Sequence, residues 1–166
     1  SIESDILGDG SLDYENDILN LFDIVIASIH SNLSMTEDKA MQRLIKAIEN
    51  PYTSILGHCT GRLLLGRNGY PINHKKIIEA CAANNVAIEL NAHPRRLDID
   101  WKFIDYAISK NVLISINPDA HAIEGFDDCR YGVLAAQKST LTKEQNLSSY
   151  NLLAFEEFVK SLKLKR

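Results

Sequence analysis

The chain has 166 residues, 45% hydrophobic and 24% charged, which is enough for one domain with a sizeable core. Its 18 basic against 22 acidic residues leave a formal charge of −4, which excludes a global basic field for nucleic acid, so a phosphate-bearing ligand would need a local basic cluster. No apolar run approaches the roughly 20 residues that span a bilayer, and the scattered Cys59, Cys81 and Cys129 form no disulfide framework, so a cytoplasmic protein without membrane contact is expected.

Short apolar runs alternate with amphipathic stretches, the rhythm of βαβ units and a largely parallel sheet. The chain opens without methionine on Ser1-Ile-Glu-Ser-Asp5, already strand-like, and a fragment of a longer polypeptide is expected. Strands are predicted at Ile2–Leu7, Ile24–Ile29, Ser54–Leu56, Val86–Leu90 and Val112–Ile116. A tight polar turn, Gly8 to Asp13, follows the first strand. After the second, Met41, Leu44, Ile45 and Ile48 recur at helical spacing, with Ser34 and Glu37 as a capping box and Pro51 as the stop after Asn50. The third strand runs into a long loop, Cys59 to Pro71, carrying Gly61, Arg62, Gly66, Arg67 and Gly69, and long loops on a compact scaffold are often functional. Ile77, Ile78 and Cys81 mark a helix that Asn84-Asn85 ends, and Trp101, Ile104 and Ile108 mark another. Phe155, Phe158, Val159 and Leu162 give a closing helix whose basic end, Lys160 to Arg166, complements its dipole. No repeat or linker interrupts the pattern, so residues 1–166 are read as a single domain.

Three strands end on metal-ligating residue types: His30, His58, and the Asp119-Ala-His121 pair. With a carboxylate from the first strand, they would all project from one rim of the sheet, where α/β barrels keep their chemistry. Alternation places Glu3 and Asp5 on one face and leaves both open as that carboxylate. Imidazole and carboxylate without thiolate suit zinc, manganese or iron, and a carboxylate can bridge two ions as two-metal phosphoryl-transfer sites require. His74, before two lysines, reads as surface, whereas His93 follows a strand and is a weaker candidate. Among the arginines, Arg62 and Arg95 or Arg96 lie on post-strand loops where a guanidinium can clamp a phosphate; the alternative for them is a salt bridge to Asp98 or Asp100. Arg67 and Arg130 read as surface charge.

An ordered series runs through nearly the whole chain: Ile2-Glu3-Ser-Asp5, Ala27-Ser-Ile-His30, Leu56-Gly-His58-Cys-Thr-Gly-Arg62, Glu89-Leu-Asn91-Ala-His-Pro94-Arg-Arg-Leu-Asp98, Asn117-Pro-Asp119-Ala-His121 and Arg130-Tyr-Gly-Val133. It resembles the PHP (polymerase and histidinol phosphatase) superfamily, and within it the C-terminal PHP domain of bacterial family X DNA polymerases. The resemblance implies a distorted seven-stranded, TIM-like β/α barrel with up to three metal ions at its mouth. It makes Glu3 the carboxylate bridging the first and second metals, with His30 and His58 completing the second. Asp119 then serves the first metal and His121 the third, and Asp5 becomes structural. The implied activity is a 3′–5′ exonuclease or 3′-phosphatase acting on DNA 3′ ends for repair. The alternatives are a non-catalytic module that supports the polymerase and a histidinol-phosphate-type phosphatase. A complete PHP domain opens with a His-x-His strand and further histidines that are absent here. The barrel would then lack its opening strands, leaving exposed edges and an open core. Only the second metal would keep its protein ligands, little turnover is expected of the fragment, and a homodimer is one way to cover the edges.

Overall fold

The computed structural model describes residues 1–166. Five strands, β1 (Ile2–Asp5), β2 (Val25–Ser28), β3 (Ile55–Leu56), β4 (Ala87–Asn91) and β5 (Ile114–Asn117), form one sheet in that order. Every neighbouring pair is parallel. The helices are α1 (Asn16–Leu19), α2 (Glu37–Glu49), α3 (His74–Ala83), α4 (Ile104–Ser109), α5 (Cys129–Ala136) and α6 (Leu152–Lys163). This is an α/β architecture compatible with part of a β/α barrel; five strands are present rather than seven. None of its helices is long and apolar enough to cross a membrane.

Register divides the sheet into two faces, because partners in a parallel pair point the same way and alternate residues point oppositely. Val25, Ala27, Leu56, Ile88, Leu90, Ile114 and Ile116 face the helices, where Ala40, Leu44 and Ile48 of α2, Ile77, Ile78 and Cys81 of α3, and Ile104 of α4 complete a core of 27 buried residues. The other face is layered. At the strand starts Ile24, Ile55 and Ala87 meet Leu147 and, from α6, Phe158 and Leu162. At the strand ends the same face carries Glu3, Ser28, Glu89, Asn91, Ser115 and Asn117. The open core expected from missing strands is therefore closed at one end, because the apolar stripe of α6 turns inward beneath the sheet. The polar end of that face is left for the site.

Helix boundaries follow local chemistry. The N-cap of α2 is Thr36, whose hydroxyl accepts from Lys39 N, so the Ser34–Glu37 capping box does not form; Thr36 stands directly before the acidic first turn of Glu37 and Asp38. Asn73 caps α3 in the same way, accepting from Lys76 N. The segment expected to start a helix at Trp101 first makes a 3₁₀ turn over Trp101–Phe103 and becomes α-helical only from Ile104. His74, expected on the surface, is half-buried and stacked on Phe103 with ring centroids 3.9 Å apart.

Candidate metal centre

Glu3, His30 and His58 meet at the polar end of the sheet, each supplying one ligand atom, and those atoms lie within 4.8 Å of one another. Glu3 Oε1 stands 3.3 Å from His30 Nε2 and 3.4 Å from His58 Nε2. The two imidazoles meet edge to face, 5.1 Å between centroids. Glu3 lies within β1, while His30 and His58 lie two residues beyond the ends of β2 and β3, so three neighbouring strands in register set the triangle. Asp5, one alternation along from Glu3, takes the supporting role: its Oδ1 accepts the His30 N–H at 3.0 Å and lies 3.4 Å from His30 Nδ1. Of the two carboxylates that alternation left open, Glu3 reaches both imidazoles and Asp5 reaches only His30.

Beneath the triangle lies Glu89, a buried carboxylate that sequence reading passed over as part of an apolar strand. Its Oε2 accepts His58 N–H at 2.7 Å and its Oε1 accepts Asn117 Nδ2 at 2.9 Å. Burial raises its carboxyl above the ordinary range, and these donors offset only part of that rise. The signal was available, since a charge inside Val86-Ala-Ile-Glu-Leu90 has to be satisfied by neighbours. Gly57 makes the close approach of β2, β3 and β4 possible here. A Cβ on it would fall 2.3 Å from Ser28 Oγ and 3.6 Å from Glu89 Oε2. Gly57→Ala is therefore expected to cost about 1–3 kcal/mol from overpacking and to weaken divalent-cation binding. A denaturation midpoint and a Mn²⁺ titration on the same sample check both effects.

The other predicted site residues are placed differently. Asp119 is not in the triangle: its Oδ2 accepts from Asn91 Nδ2 at 3.1 Å and from Arg96 Nε at 3.1 Å. His121 is also outside it, with a side chain 86% exposed and Nδ1 2.8 Å from the Asp119 carbonyl oxygen. Arg62, expected to face phosphate, is occupied by the scaffold. Its Nε donates to Arg96 O, Nη2 to Leu97 O, and Nη1 to Asp100 Oδ2 at 3.0 Å. That is the salt-bridge alternative, realised because the Cys59–Pro71 loop folds back over residues 96–100. Arg95 is exposed, and His93 accepts the Arg95 N–H on Nδ1. Cys59 is buried against Asp98, and burial raises its thiol far out of the reactive range.

The donor set fits a divalent cation. Ligands about 2.0–2.1 Å from a tetrahedral ion stand about 3.3 Å apart, close to both Glu3–histidine separations. His58 Nδ1, the ring nitrogen that does not face Glu3, is buried without a hydrogen-bond partner. Two imidazoles and one carboxylate suit borderline or hard ions.

Glu3 and His30 shift each other's protonation. Hydrogen bonds from His30 first and His58 second hold the Glu3 carboxyl far below its usual range, and Glu3 in turn raises His30. A proton on His30 therefore stabilises the pair at low pH, and that stabilisation is lost as pH climbs through the raised value. A cation needs the neutral imidazole, so proton and ion compete for one nitrogen. Mn²⁺ uptake by chelator-stripped protein is expected to fall with decreasing pH at a midpoint above the ordinary imidazole value of about 6.5. In Glu3→Gln the residual uptake should lose that upward displacement. Titrations at a series of pH values measure both.

No family model matches the chain. Over 159 residues it is 43% identical to the DNA polymerase/3′-5′ exonuclease PolX of Bacillus subtilis, a match covering 96% of this chain and 28% of that protein. It is 33% identical over 84 residues to a probable phosphatase of Clostridium novyi, covering 49% of this chain and 32% of the other. A probable phosphatase of Caldanaerobacter subterraneus is 35% identical over 94 residues, covering 54% and 35%. The chain thus spans about a third or less of the length of these relatives. Two kinds of relative, a polymerase-linked exonuclease and phosphatases, converge on the grouping that the ordered motifs had indicated. The chain belongs to the PHP superfamily, with its similarity extending along nearly its whole length to the family X DNA polymerase branch.

Proposed function

We propose that this chain is the ion-binding rim of a metal-dependent phosphoesterase that hydrolyses phosphoesters at DNA 3′ ends within a longer, polymerase-linked repair protein. The observation that carries the reading is the convergence of Glu3, from within β1, with His30 and His58, from the ends of β2 and β3, at one end of a parallel sheet. Similarity to a protein named as a 3′-5′ exonuclease supports the substrate class. In this reading the five strands belong to a larger, distorted seven-stranded barrel. Its opening strands would lie outside this chain and would add ligands beside Asp119 and His121.

A divalent cation held by Glu3, His30 and His58 would supply Lewis-acid polarisation of a phosphoryl oxygen and activation of water. The protein's own groups supply the rest. Asp5 keeps the His30 ring turned toward Glu3. Arg96, with only Nε bonded to Asp119, has both Nη groups free to take phosphate oxygens as a fork, and it replaces Arg62 in that role. Exposed Arg95 adds charge at the same loop. A 3′-labelled oligonucleotide incubated with Mn²⁺ is the test, with this chain and with the longer polypeptide side by side. Shortening or 3′-dephosphorylation by the longer form, lost in Glu3→Ala and His30→Ala, is expected, with little turnover by the chain alone. Equal activity of wild type and both variants overturns it.

A small-molecule phosphatase of the histidinol-phosphate type is the second reading, favoured by the matches to probable phosphatases. Turnover of histidinol phosphate without action on oligonucleotides would select it. The cytoplasmic setting and the homodimer belong to the proposal as well, and sedimentation of the purified chain tests the dimer.

A further inference from the structure

Between the triangle and Asp119 runs a continuous line of hydrogen bonds whose inner members no ligand role accounts for. His58 N–H donates to Glu89 Oε2 at 2.7 Å, and Asn91 Nδ2 donates to the same oxygen at 3.2 Å. Asn91 Nδ2 also donates to Asp119 Oδ2 at 3.1 Å, where Arg96 Nε arrives at 3.1 Å. The side-chain oxygen of Asn91, Oδ1, accepts from His93 N–H at 3.1 Å. Asn91 is 0% exposed and Glu89 5% exposed, so neither bond is shared with bulk water.

The chemistry of the line is directional. Every protein group touching Glu89 is a donor: a main-chain N–H and the amides of Asn91 and Asn117. Asn91 divides its one amide nitrogen between two carboxylates, Glu89 and Asp119. An aspartate in its place would offer no donor, and an alanine would leave both carboxylates short of a partner in a buried setting. Asp119 itself sits at φ +53°, in the left-handed region, which a non-glycine residue keeps only where its surroundings hold it.

We propose that Asn91, seated on Glu89, is a positioning residue that holds Asp119 and Arg96 in fixed register with the His58 ligand, so that ion-binding and phosphate-facing groups address one phosphoester. This rests on the phosphoesterase reading above. Asn91 touches no donor atom of the triangle; it acts through Glu89 on the His58 main chain and through Asp119 on Arg96.

The test uses the full chain and Mn²⁺ alone. Outer partners of metal ligands typically govern tenfold to hundredfold in affinity. Asn91→Ala and Asn91→Asp are each expected to weaken Mn²⁺ binding by about that factor, with far-UV dichroism unchanged. Ser115→Ala is the control: Ser115 Oγ donates to Asn117 Oδ1 in the same buried network, off the path between His58 and Asp119. It should leave affinity within about threefold of wild type, the margin below the outer-partner range. In chelator-stripped protein, amide exchange at His58 should be faster in Asn91→Ala than in wild type. Asn91 variants that bind Mn²⁺ as wild type does, or a Ser115→Ala loss as large as theirs, would overturn the register role. His30→Ala separates the two readings. If it binds as tightly as wild type, the triangle is not an ion site; if it fails to bind while the Asn91 variants bind normally, only the register role falls.

Discussion

Glu3→Ala is expected to abolish divalent-cation binding while leaving the fold almost untouched. Glu3 is the one carboxylate of the triangle, so the substitution removes its only formal negative charge and one of three donor atoms together. The loss should exceed the hundredfold reached by changes in outer partners, which is more than about 2.8 kcal/mol at about 1.4 kcal/mol per tenfold. The Glu3 side chain is 42% exposed and belongs to neither apolar core, so stability without metal should shift little. Thermal melts with and without Mn²⁺ separate the two effects. A ligand at a hundredfold excess over Kd stabilises the folded form by about 2.7 kcal/mol, several degrees in Tm for a chain of this size. Wild type should show that rise and Glu3→Ala should not. An equal rise in both would place the ion elsewhere.

His58→Ala makes the complementary case. Its imidazole is almost wholly buried, with a side chain only 3% exposed, so its removal opens a hole beside Glu89 as well as deleting a ligand. A variant that lost metal binding only through general destabilisation would resemble His58→Ala and not Glu3→Ala. The pair therefore distinguishes a site from a scaffold that happens to be fragile there.

The legible parts of this chain are those where one residue's type already states its environment. Strands β2 to β5 were readable because nearly all their apolar residues are buried in a parallel sheet, whereas β1, Ile2-Glu3-Ser4-Asp5 with only Ser4 buried, was readable by its alternation. The triangle was readable because His30 and His58 are polar residues at the ends of apolar runs and Glu3 is a carboxylate within the first strand. Residues whose role depends on a distant partner were not readable. Arg62 could be read either as a phosphate clamp or as the partner of Asp98 or Asp100, and only the fold, which lays Asp100 and two carbonyl oxygens against it, decides. The turn over Ile123–Asp128 and helix α5 escaped because Ile123, Phe126, Val133 and Leu134 are exposed, which blurs the helical stripe. Asp119 projects from the expected rim, yet its carboxylate is turned toward Arg96 and Asn91, a choice set by side chains 23 and 28 residues away in sequence.

Arg43 is the strongest case of a hidden partner, and its replacement is expected to be the most destabilising change in the molecule. It lies on the buried face of α2 with Ala40 and Ala47, only 1% exposed, a position where helical spacing alone would place an apolar residue. No carboxylate meets it. Its Nε donates to Leu7 O at 3.0 Å, Nη1 to Ser31 O at 3.1 Å, and Nη2 to Ile6 O. A planar fork can bond three carbonyls at once where an ammonium on a flexible stem cannot, so Arg43→Lys should fail nearly as badly as Arg43→Met. Stranding buried acceptors, or half-satisfying them, should cost about 3–5 kcal/mol, a large part of the roughly 5–15 kcal/mol that holds a domain together. The carbonyls it gathers follow Asp5 on one side and His30 on the other, so the clamp also joins the two segments that carry Glu3 and His30. Arg43→Lys should therefore lower the urea midpoint. At a temperature where the variant is still folded, it should also weaken Mn²⁺ binding about tenfold, as a lost supporting contact does. An unchanged midpoint would mean that water or a shifted loop satisfies the three carbonyls. A lowered midpoint with unchanged Mn²⁺ affinity would confine Arg43 to stability and leave the spacing of Glu3 and His30 to the sheet alone.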